Sequence, residues 1–112
     1  MTDDLAGLNV SRETNKRLQI YAALLRTWNP KINLVASSTI DDLWSRHFVD
    51  SAQIYRLAPK EFDYWADLGS GGGFPGLVIA ILAQEHATTP QFTLVESDAR
   101  KSAFLRTVLR ET

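Results

Sequence analysis

The stretch Asp67-Leu68-Gly69-Ser70-Gly71-Gly72-Gly73-Phe74-Pro75-Gly76 decides how this chain folds. A short apolar run, Tyr64-Trp65-Ala66-Asp67-Leu68, reads as a strand, and glycine then fills four of the five positions 69 to 73. Glycine lets the backbone turn sharply and lets a ligand approach without meeting a Cβ. A plain turn rarely needs so many, so the segment reads as a ligand-binding loop rather than a bare connection. The solid apolar run Pro75-Gly76-Leu77-Val78-Ile79-Ala80-Ile81-Leu82-Ala83 predicts a helix packed on a sheet. Pro75 stands near its first position, where the missing N–H would have been an orphan anyway.

Downstream, His86 to Pro90 read as a loop and Gln91-Phe92-Thr93-Leu94-Val95-Glu96 as a second strand. Ala99 to Glu111 predicts a helix with Ala103, Phe104, Val108 and Leu109 inward and Arg100, Lys101, Arg106 and Arg110 largely outward. Strand, helix and strand within about 30 residues imply a parallel pair with a right-handed crossover, the unit of open doubly wound sheets. Glu96 follows Gly76 by twenty residues, where a carboxylate can accept hydrogen bonds from both hydroxyls of a ribose. A lone acid after a strand is commonly just a surface residue; its pairing with the glycine loop gives it weight. In the dinucleotide pattern G-x-G-x-x-G the third glycine would fall on Phe74, which disfavours a dinucleotide-dependent oxidoreductase.

Upstream, Leu18, Tyr21, Leu24, Leu25 and Trp28 repeat at helical spacing from Ser11, with Arg12, Lys16, Arg17 and Arg26 mostly on the opposite side, and Asn29-Pro30 is expected to stop the helix. After Ile32-Asn33-Leu34-Val35, the segment Ser38-Thr39-Ile40-Asp41-Asp42 approximates a capping box that would start a second helix. It would bury Ile40, Leu43, Trp44, Phe48, Ala52 and Tyr55, and either runs to Leu57 or breaks near Asp50-Ser51. Residues 1–60 thus form an N-terminal helical region and 61–112 a first βαβα part, without repeats. Trp28, Trp44 and Trp65 suit core packing better than base stacking. Arg46, His47 and Asp50, at three- and four-residue spacing, share one helical side, either as a buried network or facing a substrate cleft.

Composition sets the outer bounds. With 12 Lys+Arg against 13 Asp+Glu the net charge is −1, so the chain is no polycation and any basic function is local. Residues 10–60 carry such a local excess: eight basic residues (Arg12, Lys16, Arg17, Arg26, Lys31, Arg46, Arg56 and Lys60) against four acids. That suits phosphate contact, although a solvated helix face explains it as well. The absence of cysteine excludes thiolate zinc sites, redox dithiols and a cysteine nucleophile. With no apolar run of about 18 residues and an acidic start, neither a membrane span nor a secretory signal is expected, and a cytoplasmic location is.

The D-x-G-x-G-x-G spacing of residues 67 to 73 looks like the first motif of class I S-adenosylmethionine methyltransferases. Combined with Trp28-Asn29 and Asn33-Leu34, with Arg46-His47-Phe48-Val49-Asp50-Ser51, with the Phe74-Pro75-Gly76 extension, and with Val95-Glu96-Ser97 before Arg100-Lys101 and Phe104-Leu105, it resembles the RsmG (GidB) family of bacterial small-subunit ribosomal RNA methyltransferases. That family methylates N7 of a guanosine. The resemblance implies an α/β, Rossmann-like class I fold preceded by the helical region, with S-adenosyl-L-methionine as cofactor. It implies Asp67, Gly69, Gly71, Gly73, Phe74, Glu96 and Ser97 as cofactor-binding residues. In that assignment Gly69 and Phe74 contact the cofactor, Gly71 and Gly73 shape the turn, Asp67 supports the loop and Glu96 takes the ribose. Arg46, His47 and Asp50 become an RNA-facing or structural network, and small-subunit ribosomal RNA or a ribosomal particle the partner, with no membrane and no metal. No catalytic acid or base is implied, because guanine N7 has no proton to lose. Family members are longer than this chain and carry later strands, so it looks like an N-terminal fragment. Alone it is expected to be inactive and prone to self-association along the unpaired sheet edge. A noncatalytic RNA-binding or assembly role is the rival reading.

Overall fold

The computed structural model describes residues 10–57, 64–68, 72–84 and 91–112. Helix α1 spans Arg12–Ile32. Ser11 starts it: its Oγ accepts the Thr14 N–H at 3.1 Å, satisfying one of the orphan donors of the first turn. The helix does not stop at Asn29-Pro30 but passes through Pro30 to Ile32. In the last turn the missing proline N–H forfeits a single ladder bond, and the end is closed well enough to bear that. Asn33 adopts the left-handed conformation, φ 53°, and its N–H donates to the Asn29 carbonyl at 2.8 Å. The Asn29 Oδ1 accepts the Val35 N–H, also at 2.8 Å, and Leu34 is turned into the core.

The next stretch is helical throughout, with three pitches. A 3-10 turn covers Ser37–Asp42, a π turn covers Trp44–Val49, and helix α2 covers Asp50–Leu57. The expected capping box is absent: no side chain caps the start, because the Thr39 hydroxyl donates to the Ala36 carbonyl at 2.7 Å. The π turn has a packing reason. Leu43 and Phe48 are both fully buried although five residues apart, a spacing that an α-helix rotates out of line and a π turn brings together. Ala52, four residues on, continues the same stripe at α pitch; Ile40, Trp44 and Tyr55 pack at its margin.

Strands β1 (Tyr64–Leu68) and β2 (Gln91–Val95) pair in parallel, in register from Tyr64 opposite Gln91 to Leu68 opposite Val95. Between them helix α3, Gly76–Ala83, is buried nearly all round because it touches both strands, α1 and α2, which accounts for its unbroken apolar sequence. Helix α4, Ala99–Glu111, packs on α1 through Phe104 and Val108. Leu109, expected inward, is 56% exposed, and Ala103 is half-buried. The buried stripe runs Phe104, Leu105 and Val108 instead, because α4 packs on α1, while Leu109 borders the pocket beside Phe92 and Leu94 of β2.

One hydrophobic cluster joins Leu18, Tyr21 and Leu25 of α1, Phe48 and Ala52 of the following helical stretch, Leu77 and Leu82 of α3, and Phe104 of α4. This cluster draws residues from both sides of residue 60. Trp28 meets Phe104 edge-on at 5.5 Å, so it packs as expected, whereas the side chain of Trp65 and the loop from His86 to Pro90 lie outside the described residues. Truncating Phe104 to alanine removes its packing on Trp28 and Tyr21 and is expected to cost about 3–5 kcal/mol, while Leu109→Ala stays within about 0.5 kcal/mol. Urea denaturation midpoints measure both; equal losses would contradict this core.

Candidate functional site

Parallel strands in register end side by side. Leu68 and Val95 are the last pair, so the chain leaving β1 for the glycine loop and Glu96 leaving β2 start from the same carboxyl end, where open α/β sheets bind their ligands. Gly69, Ser70, Gly71 and the side chain of Asp67 lie outside the described residues; the backbone of Asp67 pairs opposite Leu94. From Gly72 to Pro75 the chain makes a turn that feeds α3, and the Leu77 N–H donates to the Gly73 carbonyl at 2.8 Å.

Gly73 has φ +97°, which L side chains rarely adopt. A Cβ there would collide with the Tyr21 hydroxyl and lie 3.0 Å from the Leu77 Cβ. Tyr21 is fully buried, and its hydroxyl donates to the Gly72 carbonyl. The turn is therefore shaped from outside itself, by a residue of α1 remote in sequence. Nothing but helical period singles out Tyr21 in the sequence, and only the fold brings it to the loop.

Phe74 extends this contact. Its ring stacks on Tyr21 at 5.4 Å and 12°, meets Phe48 edge-on at 5.3 Å, and stacks on the His47 imidazole at 4.9 Å and 27°. His47 Nε2 lies 3.0 Å from the Thr39 hydroxyl. His47 is thus brought to the loop, whereas Arg46 and Asp50 occupy exposed positions beside it and no ion pair joins them among the described residues. Burial pushes the His47 imidazole below its ordinary value; Asp50 opposes that shift and Arg46 reinforces it.

On the other strand, the Glu96 Oε2 accepts the Asp98 N–H at 3.1 Å, and its carbonyl accepts the Ser102 hydroxyl at 3.0 Å. Its half-buried side chain borders a pocket of about 240 Å³ with Leu77, Phe92, Leu94, Leu105 and Arg106. Ser97 is exposed next to it. Asp98 caps α4 by accepting the N–H groups of Arg100 and Lys101 at 2.9 and 3.2 Å; the Lys101 bond above all holds its carboxyl below the usual range. Among the described residues no cluster of three metal-ligating side chains occurs, and no helix is long and apolar enough to cross a membrane.

The family profile described as GidB, rRNA small subunit methyltransferase G, matches residues 14–112. Proteins named ribosomal RNA small subunit methyltransferase G are similar over nearly the whole chain. That of Ruegeria pomeroyi is 60% identical over 111 residues, 99% of this chain and 54% of the relative. That of Rhodospirillum centenum is 59% identical over 99% of this chain and 49% of its own length, and that of Rhizobium leguminosarum bv. trifolii 57% identical over 97% and 52%. The chain spans about half the length of these relatives.

The buried imidazole makes a signed prediction. Since the folded chain favours neutral His47, the unfolded chain binds the proton first, so the stability due to the neutral ring is complete above its ordinary value of 6.5 and is lost as the pH falls through and below it. His47→Gln should flatten that part of the profile when urea midpoints are taken between about pH 5 and 8. Identical profiles for the two proteins would contradict the assignment.

Proposed function

The chain belongs to the GidB family of small-subunit ribosomal RNA methyltransferases, matched from residue 14 to 112, and on that premise we propose that it carries the cofactor loop of a class I S-adenosylmethionine methyltransferase. The observation that carries the reading is the shared carboxyl end of β1 and β2, from which the glycine loop and Glu96 depart next to each other. Glu96 fits the cofactor chemically, as a carboxylate acceptor for paired hydroxyls where β2 ends beside β1, and the Gly73 turn, closed on its protein side by Tyr21 and Leu77, fixes where the loop runs into α3. Gly69 to Gly73 take the amino acid moiety, with Asp67 supporting the loop, and Glu96 with Ser97 takes the ribose. Phe74 contributes at the loop's end, its ring anchored on Tyr21 and His47.

When bound, S-adenosylmethionine supplies an electrophilic methyl on a sulfonium. The acceptor is N7 of a guanosine in small-subunit ribosomal RNA, an aromatic lone pair that needs no general base. What the protein contributes is alignment, and holding two reactants at attack distance is worth on the order of 7–11 kcal/mol of barrier in favourable cases. These residues supply one wall of such a clamp. The exposed Arg12, Lys16, Arg26 and Lys31 of α1, with half-buried Arg17, supply cationic groups for RNA phosphates. An RNA substrate of this kind places the protein in the cytoplasm.

Two measurements on the intact protein test these proposals. In calorimetry, Gly71→Val and Glu96→Ala should each weaken binding of S-adenosylhomocysteine by about tenfold or more, the equivalent of at least one charge-assisted or backbone hydrogen bond; unchanged affinity in both would remove the site. For RNA, Arg12→Glu, Lys16→Glu and Arg17→Glu combined should weaken binding and lower the slope of log affinity against log salt by about 0.7–0.9 for each phosphate no longer neutralised. An untouched slope would make the basic stretch an ordinary solvated helix face.

A further inference from the structure

The geometry points to His47 as a positioning residue for the end of the cofactor loop, acting through Phe74, so that the 3-10 and π stretch before α2 and the turn from Gly72 to Pro75 form one mechanical unit. This rests on the proposed cofactor site and adds to it the coupling of that site to the helical region. Three contacts build the unit. Thr39 holds the His47 imidazole at 3.0 Å, the imidazole lies face to face with Phe74 at 4.9 Å, and Phe74 in turn lies flat on Tyr21, whose hydroxyl is bonded to the Gly72 carbonyl. Phe74 is thus gripped on its faces by rings from two different helical segments, directly after Gly73, whose φ of +97° L side chains rarely adopt.

A loop held in its turn before a ligand arrives loses less freedom on binding, so such a grip raises affinity without touching the ligand. The π turn is what aims the imidazole: it covers Trp44–Val49, and turns of this kind are frequent at functional sites. Coupling of this sort is reciprocal, so whatever shifts the Thr39 to Val49 stretch, including RNA held by the helical region, alters the loop, and an occupied loop steadies that stretch. Among the described residues, the charged groups acting on His47 are Asp50 and Arg46 of its own stretch, while uncharged Thr39 and Phe74 face it from the 3-10 turn and the glycine turn.

The test uses the intact protein, with S-adenosylhomocysteine as probe and stability measured in parallel. His47→Ala should weaken binding about tenfold, the equivalent of one aromatic pair. His47→Phe, which keeps a ring against Phe74, should restore affinity to within about twofold. Val108→Ala serves as a control that loosens α4 without touching the loop, and should leave affinity unchanged. A His47→Ala affinity equal to wild type, or no better retained in His47→Phe, overturns the proposal. A second arm needs no ligand: the Gly72 and Gly73 amide resonances should follow pH with the midpoint of the His47 ring in the wild type and become pH-independent in His47→Phe. Glycine resonances indifferent to His47 overturn the coupling even where the probe binds well. If the wild type fails to bind the probe while the resonances respond, the cofactor reading fails and the coupling stands.

Discussion

The hydrogen bond from the buried Tyr21 hydroxyl to the Gly72 carbonyl is the contact on which the site depends. Glycine adopts φ +97° without strain but does not favour it over other conformations, so at Gly73 the surroundings must select the turn. Here they do: Tyr21 occupies the space a Cβ would need, Leu77 closes the other side, and Phe74 is pinned among Tyr21, Phe48 and His47. A buried carbonyl left without its donor would cost about 1–3 kcal/mol, so the phenol both satisfies the loop backbone and fixes where it runs.

The same bond ties the helical region and the sheet into one core. A two-stranded parallel sheet buries little by itself. Helix α3 is apolar on every side because α1 and α2 cover what the sheet does not, and α1 reaches across to α4 through Trp28 and Phe104. The helical region is therefore a wall of the loop as well as a basic surface. Val95 is 46% exposed and Leu109 56%, so apolar surface is left open around β2 among the described residues.

Much of this is legible in the sequence. The D-x-G-x-G-x-G segment, the second strand ending at Glu96, and helix α4 from Ala99 to Glu111 follow from local chemistry and periodicity, and the structure has the strand pairing and that helix as expected. What is illegible depends on contacts between distant segments. Asn29-Pro30 reads as a stop because proline lacks a donor, yet Asn33 and the Asn29 side chain close the helix one turn later. Ser38 to Asp42 reads as a cap, but Thr39 bonds backward to Ala36 and sideways to His47. The π turn shows only as a five-residue spacing between Leu43 and Phe48, which is indistinguishable from noise until both are seen buried. Arg46, His47 and Asp50 look equivalent by spacing; only packing against Phe74 sets His47 apart.

Whether the helical region shapes the loop is decided most directly by a double-mutant cycle of Tyr21→Phe and Gly73→Ala, with stability measured by urea denaturation of the intact protein. Removing the hydroxyl also removes the atom that the alanine Cβ would strike. The two changes should therefore be non-additive, the double variant being less destabilised than the sum of the single ones by about 1 kcal/mol or more. Additivity within about 0.5 kcal/mol would show that the phenol and the turn do not constrain each other, and would contradict the account.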